Sequence, residues 1–167
     1  MSDFRTLPVD EAIAWIRAWT DHAWPMTLQQ AFTIRDHLGW RPSHQDPTLF
    51  TTKLSIDDKE DGFIFDSNEF GIKGVRFHFS SVYSLGYNHE VAQASHAAYS
   101  QYIAALGQLW RPGKVVSSDR ISRIRWTFPN RMSTSISGLS GLISVTIDSS
   151  WRTQLKEDYD QVMEDYE

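Results

Sequence analysis

The sequence contains no cysteine, which excludes disulfides, thiolate nucleophiles and thiolate metal sites together, so stability has to come from packing. It has no apolar run approaching a membrane span, and its opening "MSDFRTLPVDEAIAWIRAW" places acids where a secretion signal needs a basic segment. A soluble protein that stays in the cytoplasm is expected. A phosphate-binding glycine loop is also missing, because "GIKG" has neither the spacing nor a helix after it. What the chain has in quantity is aromatic: seven Trp, six Tyr and nine Phe in 167 residues. Large rings bury the most area per residue, so an aromatic core is expected in one α+β domain spanning residues 1–167.

The net charge of −5 is unevenly distributed. Between Trp110 and Arg131 stand Arg111, Lys114, Arg120, Arg123, Arg125 and Arg131 against Asp119, whereas seven acids between Asp148 and Glu167 face only Arg152 and Lys156. Such blocks either meet each other or water, or they form a polarised surface that steers a charged partner.

A second acidic group lies in "SIDDKEDGFIFDSNEF", where Asp57, Asp58, Glu60, Asp61, Asp66 and Glu69 fall close together. A helix-loop-helix calcium site needs oxygen ligands at loop positions 1, 3 and 5, glycine at 6 and a bidentate Glu at 12. Counted from Asp57, Lys59 puts an ammonium at position 3 and Asn68 replaces the glutamate. The flanks "TLFTTKLSI" and "GIKGVRFHF" alternate like strands, so calcium is rejected and no metal is expected.

Val9 to Thr20, with Ile13 and Ile16 at helical spacing and Asp10 and Glu11 in the first turn, reads as a helix. A second runs from a Thr27 cap to a Gly39 stop. Strands are expected around Phe50 to Ile56, Phe63 to Phe65 and Val75 to Phe79, with "DDKEDG" and "SNEFG" as hairpin turns on one side of a meander. Asn88 opens a long helix to about Leu109. Strands then carry Ile124, Trp126 and Phe128; Met132, Thr134 and Ile136; Ile143, Val145 and Ile147. Ser149 or Ser150 caps a last helix with the stripe Trp151, Leu155, Tyr159, Val162 and Tyr166. The order is ααβββαβββα, in one or two antiparallel sheets with helices packed on one face.

Catalytic signatures are incomplete. "HEVAQ" has Gln93 where a zinc protease has its second His, and His96 lies about two turns from His89, too far to share a metal. "SGLSGL" is out of frame for a nucleophile elbow and reads as a hairpin loop. The remaining histidines, His22, His37, His44 and His78, show no ligand spacing. In "RISRIRWTF" Arg123 and Arg125 alternate with Ile124, Trp126 and Phe128, so rings and cations point to opposite faces and nucleic acid is not expected.

"AWPMTLQQAFTIRDHLGWRP", "YIAALGQLWRPG" and "IRW" together resemble the landmarks of a family of small actinomycete proteins of uncharacterised domain type. Small, acidic proteins of this kind without catalytic signatures are similar to the immunity proteins encoded beside secreted polymorphic toxins. The resemblance implies a non-enzymatic protein that binds one cognate toxin, without a cofactor, nucleic acid or membrane. Asp57, Asp58, Glu60, Asp61, Asp66 and Glu69 are the expected toxin-binding residues, because clustered carboxylates speed association with a basic partner. The plainer reading is a pair of solvated turns that discourage edge pairing. Glu157, Asp158, Asp160, Glu164 and Asp165 on the last helix form an alternative contact. The competing functions are a secretion chaperone with an exposed apolar sheet face and, third, a small enzyme that would gather His78, His89, His96 and nearby acids in a pocket.

Overall fold

The computed structural model describes residues 4–116 and 121–165, the last without its side chain. Asp119, Arg120 and Tyr166, which entered the charge and stripe assignments, lie outside the described residues. Helix α1 is Val9–Thr20 and α2 is Leu28–His37. Six strands follow: β1 Arg41–Pro42, β2 Leu49–Thr51, β3 Gly62–Ile64, β4 Ser67–Asn68, β5 Gly71–Ile72 and β6 Gly74–His78. Helix α3, His89–Leu109, leads to β7 Lys114–Val115, β8 Ser122–Thr127, β9 Ser133–Leu139, β10 Leu142–Asp148 and α4 Ser150–Asp165.

The expected α+β order holds for the principal strands, β2, β3 and β6 in the first half and β8, β9 and β10 in the second. The additional strands β1, β4, β5 and β7 have two residues each, too short to show a period of two. The caps form where the residue types place them. Thr27 and Gln30 make a reciprocal capping box, Asn88 accepts from the Val91 N–H, and Ser149 accepts from the Arg152 N–H.

Both halves belong to one antiparallel sheet of eight strands in the order β1-β2-β3-β6-β10-β9-β8-β7. Each half runs from an outer edge inward, and β6 meets β10 with Phe77 opposite Val145 and Val75 opposite Ile147. Those residues are buried, so the seam closes through apolar side chains on one face.

Alternation gives the sheet two unlike faces. One carries Phe50, Val75, Phe77, Trp126, Ile136, Val145 and Ile147, all buried. Helices α1 and α2 add Trp15, Trp19 and Ile34 to the same core. Trp40 is its hub, stacked on Phe50 at 4.8 Å and edge-on to Trp15 at 5.1 Å. Each fully buried Phe or Leu contributes roughly 2–3 kcal/mol of transfer free energy. Helix α3 lies close to β9 because Gly138 has no side chain: a Cβ there would stand 2.7 Å from the Tyr99 ring. Its buried face is Val91, Ser95, Ala98, Tyr102 and Leu106, and the Tyr102 hydroxyl donates to the Leu7 carbonyl at 2.5 Å.

The other face presents Arg76, His78, Arg123, Arg125, Ser133, Ser135 and Ser144, opposite in phase to the core residues. Helix α4 packs here, so three helices share one face and the fourth lies on the other. Its contacts are polar. Thr153 hydrogen-bonds Ser133 at 2.8 Å, Asp160 pairs with Arg125 at 3.2 Å, and Arg152 and Lys156 pair with Asp148 at 2.8 and 2.6 Å. The basic block and the acidic carboxyl-terminal block therefore meet each other. No helix among the described residues is long and apolar enough to cross a membrane.

Candidate functional site

The connection from β2 to β3, residues 52–61, carries the acidic run and is shaped by its own polar groups. Asp61 turns inward, 7% exposed, and its carboxylate accepts from the Thr52 N–H at 2.7 Å and the Thr52 hydroxyl at 2.6 Å. The Ser55 hydroxyl donates to the Lys59 carbonyl, and the Arg5 guanidinium donates to the carbonyls of Lys53, Leu54 and Ser55. Asp57 and Asp58 adopt left-handed conformations with φ of 56° and 57°, which aspartate tolerates better than most residues. These constraints turn Asp57, Asp58 and Glu60 outward. Asp58 meets Arg41 at 3.3 Å, but both side chains are so exposed that the pair adds little.

Asp61 is thus an internal staple and not part of an exposed binding surface, contrary to expectation. Burial raises its carboxyl pKa, and the Thr52 hydrogen bonds and the Arg5 charge only partly oppose that effect.

The loop forms one wall of a cavity of about 590 Å³. Residues 82–90, between β6 and the start of α3, form the opposite wall, and His78 on β6 reaches it from the sheet. Leu54, Ile56, Val82, Tyr83 and Leu85 give an apolar lining, and Asp57, Glu60 and Glu90 add carboxylates. Burial, reinforced by the Arg76 charge, lowers the His78 pKa to about 4, so the imidazole is neutral at physiological pH. Its Nδ1 is buried without a hydrogen-bond partner. The size suits a ligand or an inserted side chain, and apolar walls with carboxylates favour a cation on an apolar stem.

This cavity brings His78 together with Asp57, Glu60, Asp61 and Glu90, part of the constellation expected of an enzyme. No hydrogen bond among the described residues joins His78 to any of those carboxylates, whereas a general base is ordinarily oriented by such a partner. His89 and His96 stand exposed on α3 and do not line the cavity. The sequence reading also missed the wall formed by residues 82–90. Its signal was Leu85, an apolar residue in a glycine-containing connector whose side chain is 84% exposed.

Asp66 and Glu69 do not join Asp57, Asp58 and Glu60. Strand β3 pairs with β2 and β6 in antiparallel register, so residues 52–61 precede it at one end and the β4–β5 hairpin follows it at the other. Successive turns of a meander fall at opposite ends of the sheet, and the single acidic surface expected from sequence is two separate features. The alternative surface on α4 is likewise divided. Glu157 pairs with Arg131 at 2.7 Å and Asp160 with Arg125, while Asp158 accepts from Gln154 one turn away. Glu164 is exposed, and the Asp165 side chain lies outside the described residues.

These features define an α+β protein with one eight-stranded antiparallel sheet, helices on both faces, and a mixed acidic and apolar cavity at one end. The chain belongs to DUF6301, a family of unknown function, whose model matches residues 10–149. No curated protein and no solved structure matches it. The matched span runs from the first turn of α1 to the end of β10 and stops before α4.

Proposed function

We propose that this chain is an immunity-type binding protein that neutralises a cognate secreted toxin in the producing cell's cytoplasm through a one-to-one protein interface. The carrying observation is the cavity beside residues 52–61, which combines apolar walls with the outward carboxylates of Asp57 and Glu60. A lysine or arginine from a basic partner would bury its aliphatic stem there and keep its charge at the carboxylates. The resemblance to small actinomycete proteins and to immunity proteins supports the same reading.

Two further observations weigh on the alternatives. A secretion chaperone of the expected kind needs an apolar sheet face, and α1, α2 and α3 occupy that face. A small enzyme needs an oriented acid or base, and His78 lacks an orienting partner among the described residues. Binding is therefore favoured over both.

The test is co-purification with the product of the adjacent gene, followed by salt titration of the complex and of the triple variant Asp57→Asn, Asp58→Asn, Glu60→Gln. Asp61 is left intact because it holds the loop. A tight one-to-one complex, weakened by salt and at least about tenfold by the variant, is expected for a charge-steered contact. A complex indifferent to both would remove the loop from the interface, and no complex would overturn the neutralising role.

A further inference from the structure

The strand register sets two rows of side chains on the face of the sheet that carries α4. One row runs Arg76, Thr146, Ser135, Arg125 and the next His78, Ser144, Ser137, Arg123, each residue opposite the following one on the adjoining strand. Hydroxyls on β10 and β9 therefore floor the middle of this face. Arginines stand to either side on β6 and β8, about 14 Å apart at the usual strand spacing. Arg76, Ser137 and Arg123 are half-buried and reach solvent.

The arginines bend over the floor from both sides. The Arg76 guanidinium donates to Ser144 Oγ at 3.4 Å, and Arg123 Nε donates to Ser137 Oγ at 2.9 Å. Because Ser144 and Ser137 are cross-strand partners, two like charges are held over neighbouring hydroxyls. Burial, together with the charges of Arg123 and Arg152, lowers the Arg76 pKa without discharging the group. The nearby carboxylates are engaged elsewhere: Asp160 pairs with Arg125, and Asp148 with Arg152 and Lys156. Arg76 forms no ion pair among the described residues. The cavity carboxylates beyond His78 do not offset it, since Arg76 is the charge that acts on that imidazole. Beneath the same face the Ser135 hydroxyl and Arg125 Nε, in side chains 3% and 7% exposed, are buried without a hydrogen-bond partner among the described residues. Donors thus outnumber acceptors where positive charge is concentrated, which is the arrangement an oxyanion satisfies.

We infer that this face binds a phosphate monoester, its oxygens taken by the guanidiniums of Arg76 and Arg123 over the hydroxyls of Ser144 and Ser137. A phosphate monoester carries about two negative charges at neutral pH and presents three acceptor oxygens, which match two guanidinium forks and a hydroxyl floor. A carboxylate offers one charge and two oxygens, and would leave part of that donor set unanswered. The chain's net charge of −5 disfavours a long polyanion such as nucleic acid on a patch this narrow. The inference does not depend on the neutralising role, because none of these four residues lines the cavity beside residues 52–61.

The experiment is isothermal titration calorimetry of the intact protein with inorganic phosphate at neutral pH and fixed ionic strength, beside acetate, ribose 5-phosphate and a phosphoserine peptide. Saturable one-to-one phosphate binding is expected, with acetate at least about tenfold weaker. Arg76→Gln and Arg123→Gln should each weaken phosphate by about tenfold or more. Arg76→Lys, which keeps the charge and loses the fork, should also weaken it and serves if the glutamine variant does not fold. Arg41→Gln, an equal change of net charge at an exposed position on β1, should bind as the natural protein does. Circular dichroism checks that each variant is folded. Tighter binding of either ester than of inorganic phosphate supports the site and tells whether its source is a small metabolite or a phosphorylated protein. Absence of saturation, acetate binding as tightly as phosphate, rejection of both esters, or an equal loss in Arg41→Gln overturns the inference. The triple variant of Asp57, Asp58 and Glu60 should bind phosphate unchanged, which separates this result from any failure of co-purification.

Discussion

The Lys156 ammonium lies 2.6 Å from the Asp148 carboxylate, and that carboxylate has no exposed surface. Asp148 also holds Arg152 at 2.8 Å in a contact that lacks hydrogen-bond geometry. Two cations from consecutive turns of α4 thus converge on the end of β10, and the Arg152 guanidinium also lies over the Phe65 ring at 3.8 Å. Burial lowers the Lys156 pKa, and the Asp148 charge offsets part of that effect.

Asp148→Ala should therefore destabilise the fold by about 3–5 kcal/mol, because it leaves two partly buried cations without their counter-charge. Urea denaturation measures the loss, and tryptic cleavage after Lys156 should become faster as α4 detaches. Equal cleavage rates in the variant and the natural protein would show that α4 is held by other contacts.

His78 predicts an acid-sensitive fold. Its pKa falls from 6.5 in the unfolded chain to about 4 in the folded one, so between those values the unfolded state binds the proton and stability declines as pH falls. From pH 7 to pH 5 this contribution amounts to about 2 kcal/mol. His78→Gln should lose that part of the pH dependence, and parallel chemical denaturation curves at the two pH values check it. An unchanged slope would mean that the imidazole is protonated in the folded state at pH 5.

Gly62 ends the acidic loop directly against the core. A Cβ at this position would stand 2.2 Å from the Phe50 ring and 2.8 Å from the Arg76 carbonyl oxygen. Gly62→Ala should cost about 2–3 kcal/mol through overpacking, measured as a lower denaturation midpoint. It should also displace the wall of the neighbouring cavity.

Asp61 distinguishes a staple from a charge. Asp61→Asn keeps an acceptor for the Thr52 N–H and removes the cost of burying a carboxylate, so stability at pH 7 should stay within about 1 kcal/mol of the natural protein. Asp61→Ala leaves the Thr52 groups unpaired and should cost about 1–3 kcal/mol. Thermal unfolding of the two variants side by side makes the comparison; equal losses would place the charge, not the hydrogen bonds, at the origin of the effect.

Much of the architecture follows from local pattern. The alternation of Val75, Phe77 and Phe79 with Arg76 and His78 assigns each residue to a face, and the same holds for Ile124 and Trp126 against Arg123 and Arg125. Thr27, Asn88, Ser149 and Gly39 mark helix ends through short-range hydrogen bonds and one positive φ. These effects act over a few residues, so they are written in consecutive sequence.

The candidate sites depended on directions that no local pattern contains. Whether Asp61 points inward depends on Thr52 nine residues earlier, and whether Asp66 and Glu69 stand near Asp57 depends on which way β3 runs between its neighbours. The α4 stripe shows the same limit most clearly. Helical spacing places Trp151, Leu155, Tyr159 and Val162 on one face, and sequence expectation turns such a face toward a core. The apolar side of the sheet was already covered by α1, α2 and α3, and the remaining side offered Arg125 and the buried Asp148. Charge pairing at that polar face oriented α4 with its ionic side inward, so the stripe is written in the order of residues while its outward direction comes from what the rest of the fold left for α4 to pack against.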